Sequence, residues 1–161
     1  MKAKILAAGR GSRLLSLTDD RPKRLVSLGG RPLLHWQLQA LKDAGIEDIL
    51  AVRGYCWDQI TGDFETADNP RWDETNMVGS LMAARQWLES MPCIVSYPDI
   101  VYPSRAVQTL MQDESPLSIL YDPDWLDLWQ QRFDDPLSDA ESFKLDELGL
   151  SGGDRPQKRK P

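Results

Sequence analysis

Apolar and polar positions alternate along this chain in blocks of two lengths. Lys4 to Ala8 is a short run, mostly apolar, that reads as a strand and leads directly into Gly9-Arg10-Gly11-Ser12-Arg13. From Pro32 the period changes. Leu34, Leu38, Leu41 and Ala44 recur at helical spacing, with Pro32 suited to the first turn and Gly45 to the stop. Ile49 to Val52 is a second buried strand, and Gly54 turns the chain. A further helix is expected with Thr75 as its N-cap and Met77, Leu81, Ala84 and Leu88 on its apolar face. Cys93 to Tyr97 reads as another buried strand, ending at Pro98-Asp99. Ser104 is placed to cap a helix carrying Val107, Leu110 and Met111, and Leu117 to Tyr121 reads as one more strand. Strands alternating with helices predict an α/β domain with a mainly parallel sheet. No internal repeat interrupts this order.

The chemistry sits where the first strand meets its loop. In open α/β sheets, ligands bind at the carboxyl ends of strands. Glycines at that point let backbone N–H groups approach phosphate oxygens. Arg13 adds a planar, permanently charged donor fork. Two familiar phosphate loops do not match. The dinucleotide fingerprint needs a third glycine where Leu14 stands, and the Walker loop needs Gly-Lys-Ser/Thr.

The motif continues. Leu6-Ala7-Ala8-Gly9-Arg10-Gly11-Ser12-Arg13-Leu14 is followed, after a gap, by Arg21-Pro22-Lys23-Arg24-Leu25 and Leu28-Gly29-Gly30-Arg31-Pro32-Leu33-Leu34. These two blocks resemble the signature of the nucleotidyltransferase superfamily of sugar-1-phosphate nucleotidyltransferases, phosphocholine cytidylyltransferases and MobA-like proteins. The resemblance implies a Rossmann-like three-layer domain with a mainly parallel mixed sheet, of the nucleotide-diphospho-sugar transferase type. It implies that Leu6, Ala7, Ala8, Gly9, Gly11 and Ser12 wrap a nucleotide. It assigns Arg13 and Lys23 to the triphosphate as the catalytic cations. The implied reaction moves a nucleoside monophosphate from an NTP, CTP being favoured, onto a small phosphorylated acceptor, with release of pyrophosphate. Fixed cations and Mg²⁺ neutralise the charge at the attacked phosphorus and on the leaving group. Asp99, at the end of a strand, matches the family's metal-binding aspartate; the bland reading is a turn residue. Pro98 departs from the family pattern, and so does Lys4, a charge inside a strand expected to be buried on both faces.

Arg71 to Leu81 resembles the phosphocholine-cytidylyltransferase-like branch. Asn76 and Ser80, four apart on one helical face, are candidates for base or ribose contacts, with plain helix capping as the alternative. Asp122 to Trp129 and Arg132 to Glu141 also resemble that branch. Trp125 and Trp129 share a helical face there and are candidates for an aromatic box around an acceptor's ammonium group, or else plain core.

Composition narrows the field. The net charge of -6 argues against a nucleic-acid surface. No apolar run spans a bilayer, the N-terminus does not read as a signal peptide, and the cytoplasm is the default location. Cys56 and Cys93 are too few for a disulfide framework or zinc site, and His35 is the single histidine. A homo-oligomer is compatible with the pattern. The domain is expected to run from 1 to 150, followed by a disordered basic tail over 151–161. Relatives of this kind continue further, supplying more sheet, part of the acceptor pocket and a second metal aspartate. The domain is therefore read as incomplete at its C-terminal end. The alternatives to a cytidylyltransferase are a sugar-1-phosphate nucleotidyltransferase and a non-catalytic nucleotide-binding module.

Overall fold

The structure is a computed structural model that describes residues 1–138 and 140, and residues 144–146 and 149–152 as backbone alone. Arg13 is likewise described only as backbone. The chain forms two compact units, Met1–Ile119 and Leu120–Pro161.

The first unit is built on β1 (Lys2–Ala7). A hairpin of β2 (Ser27–Leu28) and β3 (Arg31–Pro32) leads into α1 (Leu33–Asp43), with Pro32 at its N-cap. The helix ends where Ile46 N–H returns to Leu41 O at 3.0 Å. Then come β4 (Ile49–Arg53), β5 (Glu65–Asp68), α2 (Met77–Met82), α3 (Gln86–Ser90), β6 (Cys93–Ser96) and α4 (Ser104–Gln112). The sheet order is β5-β4-β1-β6, and every pairing in it is parallel. Side chains alternate across its faces. Ala3, Ile5, Ala7 and Ala51 pack with Leu34 and Leu41 of α1 and Val107 of α4. Leu6, Leu50 and Val52 face the other way, onto Ala84, Leu81 and Trp87. Two helical layers thus enclose one sheet, as expected of this class. Each fully buried large aliphatic side chain contributes about 1.5–3 kcal/mol.

Lys4 breaks the apolar pattern at the centre of the sheet, and the structure accounts for it. Its ammonium is fully buried and donates to Leu81 O at 3.1 Å and Ala84 O at 2.6 Å. These are carbonyls at the C-terminal end of α2, which a cation suits. Burial pushes the Lys4 ammonium's pKa down, and the charge of Cys93 opposes the shift.

Several expectations need correction. The helix expected from Thr75 is two helices, joined by i to i+3 turns such as Arg85 N–H to Met82 O and Trp87 N–H to Ala84 O. Its cap is Asn76, whose side chain accepts from Val78 N–H and Gly79 N–H; the Thr75 hydroxyl instead donates to Arg71 O. Ser104 makes no capping bond, because Pro103 occupies the N-cap of α4. The strand at Cys93 is half-buried, since β6 is an edge strand, and Val95 is exposed. Leu117 to Tyr121 is not a strand, and Leu117, Ile119, Leu120 and Tyr121 are exposed. Apolar content alone does not make a strand: its backbone needs a ladder partner, and this run has no place in the four-stranded sheet. Conversely, β5 carries too little apolar content to be read as a strand, yet it pairs with β4 along its whole length.

The second unit contains α5 (Trp125–Gln130) and an antiparallel pair, β7 (Lys144–Asp146) and β8 (Gly149–Gly152). Ser151 and Gly152, expected to begin the disordered tail, belong to β8. The rest of that stretch, 153–161, lies outside the described residues. Among the described residues no helix is long and apolar enough to cross a membrane.

Candidate nucleotide site

The C-terminal ends of β1, β4, β5 and β6 place the site. Leu6, Ala7 and Ala8 are buried as β1 ends, and Gly9 and Arg10 emerge exposed. Gly11 takes φ 77°, and a Cβ on it would lie 2.7 Å from both Cβ and Cδ of Lys23. Glycine is therefore needed twice, for its left-handed backbone and for the passage of the lysine stem. Ser12–Thr18 coils as a 3₁₀ helix interrupted at Leu15, whose φ is 49°. Buried Thr18 ties the loop by donating to Leu15 O at 3.1 Å, with Gly11 O at 3.3 Å. Arg13 lies in this helix, and its side chain is outside the described residues.

Lys23 opens a second 3₁₀ turn, Lys23–Leu25. Its Nζ reaches Asp99 Oδ2 at 2.5 Å, joining residues 76 positions apart. Both sequence-predicted charges thus meet beside the glycine loop. Lys23 is 21% exposed and Asp99 42%, so water screens the pair. Asp99 sits in a turn that Gln37 holds from α1. The Gln37 carboxamide is fully buried and donates from Nε2 to Tyr97 O at 2.7 Å and Ile100 O at 2.6 Å. Gln37 was not anticipated, though a polar residue on the buried face between Leu34 and Leu41 is the sign that marks it.

Arg24 was not anticipated either. It is 1% exposed, and its Nη2 donates to Leu6 O at 3.1 Å, while Nε and Nη1 have no partner among the described residues. Burial pushes its pKa down to about 9, and the charge of Asp99 works in the opposite direction.

Across the loop, Gly54 follows β4 with Ala8 O and Trp72 so close that a Cβ would sit 2.6 Å from each. Tyr55 packs edge-on against Trp72 at 5.3 Å and donates its hydroxyl to Asp19 O. Arg10 lies over the Tyr55 ring and pairs with Asp19 at 2.8 Å. Asn69, just past β5, donates to Ser80 Oγ at 3.2 Å and Thr75 Oγ1 at 2.9 Å. Ser80 therefore reaches this end of the sheet through Asn69, whereas the Asn76 side chain is occupied as a cap. A groove of about 650 Å³ beside the loop is lined by Ser16, Leu17, Asp19, Arg21 and Val26 among others, but by neither Lys23 nor Asp99.

Among the described residues no three acidic, histidine or cysteine side chains converge. Asp99 alone still fits Mg²⁺, which is commonly held by one or two carboxylates while substrate phosphates and waters complete its shell. In the second unit, Trp125 and Trp129 meet edge-to-face at 6.4 Å. Arg132 lies over Trp129 at 5.0 Å and over Phe133 at 5.4 Å.

A Rossmann-like sheet with a glycine loop, a lysine and an aspartate at its carboxyl edge defines the class of nucleotidyltransferase domains. Residues 3–125 match the MobA-like NTP transferase domain, and the chain belongs to that family. It is similar to the CTP:phosphoglutamine cytidylyltransferase of Campylobacter jejuni, with 39% identity over 156 residues, covering 90% of this chain and 62% of that protein. The choline-phosphate cytidylyltransferase of Streptococcus pneumoniae is 48% identical over 60 residues, 37% of this chain and 26% of that protein. The solved CTP:phosphocholine cytidylyltransferase from Streptococcus pneumoniae superposes with a TM-score of 0.52 at 32% identity, covering 61% of this chain and 44% of that one. The chain thus spans under two thirds of the length of these relatives.

Proposed function

We propose that this chain serves nucleotidyl transfer from CTP to a small phosphorylated acceptor such as phosphocholine. The observation that carries the reading is the meeting of Lys23 and Asp99 at 2.5 Å beside the glycine loop. In this reading the loop from Leu6 to Ser12 wraps the nucleotide, Ser80 acts toward base or ribose through Asn69, and Asn76 serves as the helix cap. Lys23 and Arg13 bind the triphosphate. An acceptor phosphate oxygen attacks the α-phosphorus, the bond to the β-phosphate oxygen breaks, and pyrophosphate leaves carrying that electron pair. Lys23 neutralises charge on the leaving oxygens without forming a bond to phosphorus. Asp99 would hold Mg²⁺, which supplies further charge neutralisation on the phosphates.

The acceptor has a second reading. Similarity over 90% of the chain to a relative named for phosphoglutamine supports an acceptor bearing carboxylate as well as phosphate. Arg132 already lies over the Trp129 ring at 5.0 Å, a contact that would compete with an acceptor's ammonium for that ring. A pyrophosphate-release screen of four NTPs against choline phosphate, phosphoglutamine, 2-aminoethylphosphonate and a hexose-1-phosphate tests both readings. CTP with one of the first two is the expected pair. Failure of all four Mg²⁺-NTPs to bind by calorimetry would remove the nucleotide reading altogether.

A further inference from the structure

Arg24 is an expensive residue as it stands. Buried side-chain polar groups are normally satisfied, and a buried charge without full pairing costs several kcal/mol. Yet Arg24 is 1% exposed with, among the described residues, a single acceptor, Leu6 O, while Nε and Nη1 have none. An apolar side chain of similar volume would fill the same space at less cost. The neighbourhood points to what the free donors are for. Leu6 O belongs to the end of β1 that feeds the glycine loop. Lys23 precedes Arg24 directly and lies against Gly11. Asp99 is the acidic group acting on both cations, and Lys23 already holds one of its oxygens. Two cations facing one carboxylate leave a net positive charge at the carboxyl edge of the sheet. The two unpartnered nitrogens carry three N–H groups, one on Nε and two on Nη1, and a phosphate chain offers several acceptor oxygens.

We propose that Arg24 is a phosphate-binding residue of this site, its free N–H groups filled by oxygens of the ligand's phosphate chain. The inference rests on the nucleotide reading above and adds to it a residue that the glycine-loop motif leaves unspecified. It also accounts for the cost, since strain and unmet polar groups are tolerated where a ligand resolves them.

The test compares wild type with Arg24→Met, a variant of similar volume without the charge. Thermal unfolding is followed without ligand, and calorimetry is run with Mg²⁺-CTP and with Mg²⁺-pyrophosphate. The expected result is an unfolding midpoint equal to or above wild type, with affinity for both probes lower by about 10- to 100-fold, the range of charge-assisted hydrogen bonds. Wild-type affinity in the variant overturns the proposal and leaves the nucleotide reading in place. If wild type itself binds neither probe, the nucleotide reading fails and the proposal with it. Should Arg24→Met not fold, the wild-type Nε–H resonance of Arg24 decides, titrated with Mg²⁺-pyrophosphate. A shift that saturates with binding supports the contact, and an unmoved resonance while pyrophosphate binds overturns it.

Discussion

Lys23 and Asp99 neutralise each other in the absence of ligand, and that pairing is cheap to give up. A partly exposed ion pair contributes about 0.2–1 kcal/mol, far less than either group gains from phosphate or metal. Lys23→Ala should therefore leave the fold nearly as stable as wild type while weakening Mg²⁺-CTP binding by about 1.5–3 kcal/mol. Calorimetry measures it, and unchanged affinity in a folded variant would take Lys23 out of the site. Asp99→Asn keeps the side chain's shape and removes the charge a hard cation needs. Nucleotide binding by this variant is expected to lose its dependence on Mg²⁺; retention of the wild-type dependence would reduce Asp99 to a turn residue. Both residues were legible in the sequence, Asp99 as the acidic residue that follows a strand and Lys23 as part of the second motif block. Their contact was not, since they lie 76 positions apart and only the parallel order of β1 and β6 brings them together.

At the scale of elements, Lys4 links the central strand to the end of α2. Two opposing effects decide its worth. Burying the ammonium is unfavourable, but its loss would take the lysine donor from Leu81 O at about 1–3 kcal/mol, while Ala84 O would keep the Trp87 N–H. Because Lys4→Met keeps the apolar stem, the hydrogen bonds should dominate, with a net loss of about 1–3 kcal/mol. Urea unfolding checks this, and a midpoint at or above wild type would contradict it. The same residue shows where sequence reading runs out. Periodicity located β1, α1, β4 and α4, whose apolar faces point at one core. It merged α2 with α3, because the apolar spacing runs on through the i to i+3 turns that join them, where a lysine eighty positions away also donates to Ala84 O. It missed β5, an edge strand whose one neighbour is β4, and it promoted Leu117 to Tyr121, which has apolar content but no place in the sheet. Gln37 and Arg24 were passed over for a related reason. Each is a polar residue at a buried position, and its partners are backbone carbonyls that only the tertiary fold supplies.

For the molecule as a whole, the two edges of the sheet are unequal. The β5 edge carries Glu65 and Asp68, and charge on an edge strand discourages pairing with another chain. The β6 edge reads Cys93-Ile94-Val95-Ser96 and carries no charge. Val95 is 38% exposed there, and the first unit also exposes Ile100, Val101, Leu117 and Ile119. An uncharged edge strand together with exposed apolar surface favours edge-to-edge association or its coverage by another segment. A concentration-dependent shift toward larger species is therefore expected in sedimentation velocity. Val95→Lys should suppress that shift, because the ammonium would have to be desolvated on pairing while costing little in the free chain, where the position is already partly in water. The variant should keep its unfolding midpoint within about 0.5 kcal/mol of wild type, as surface changes generally do. It should also bind Mg²⁺-CTP as wild type does, since Val95 lies short of the Asp99 turn and makes no contact in the cluster of Lys23, Arg24 and Asp99 described above. A wild-type chain that sediments as a single monomeric species across the whole concentration range would show that the β6 edge is protected after all. Association that persists unchanged in Val95→Lys would place the contact on a surface other than this edge.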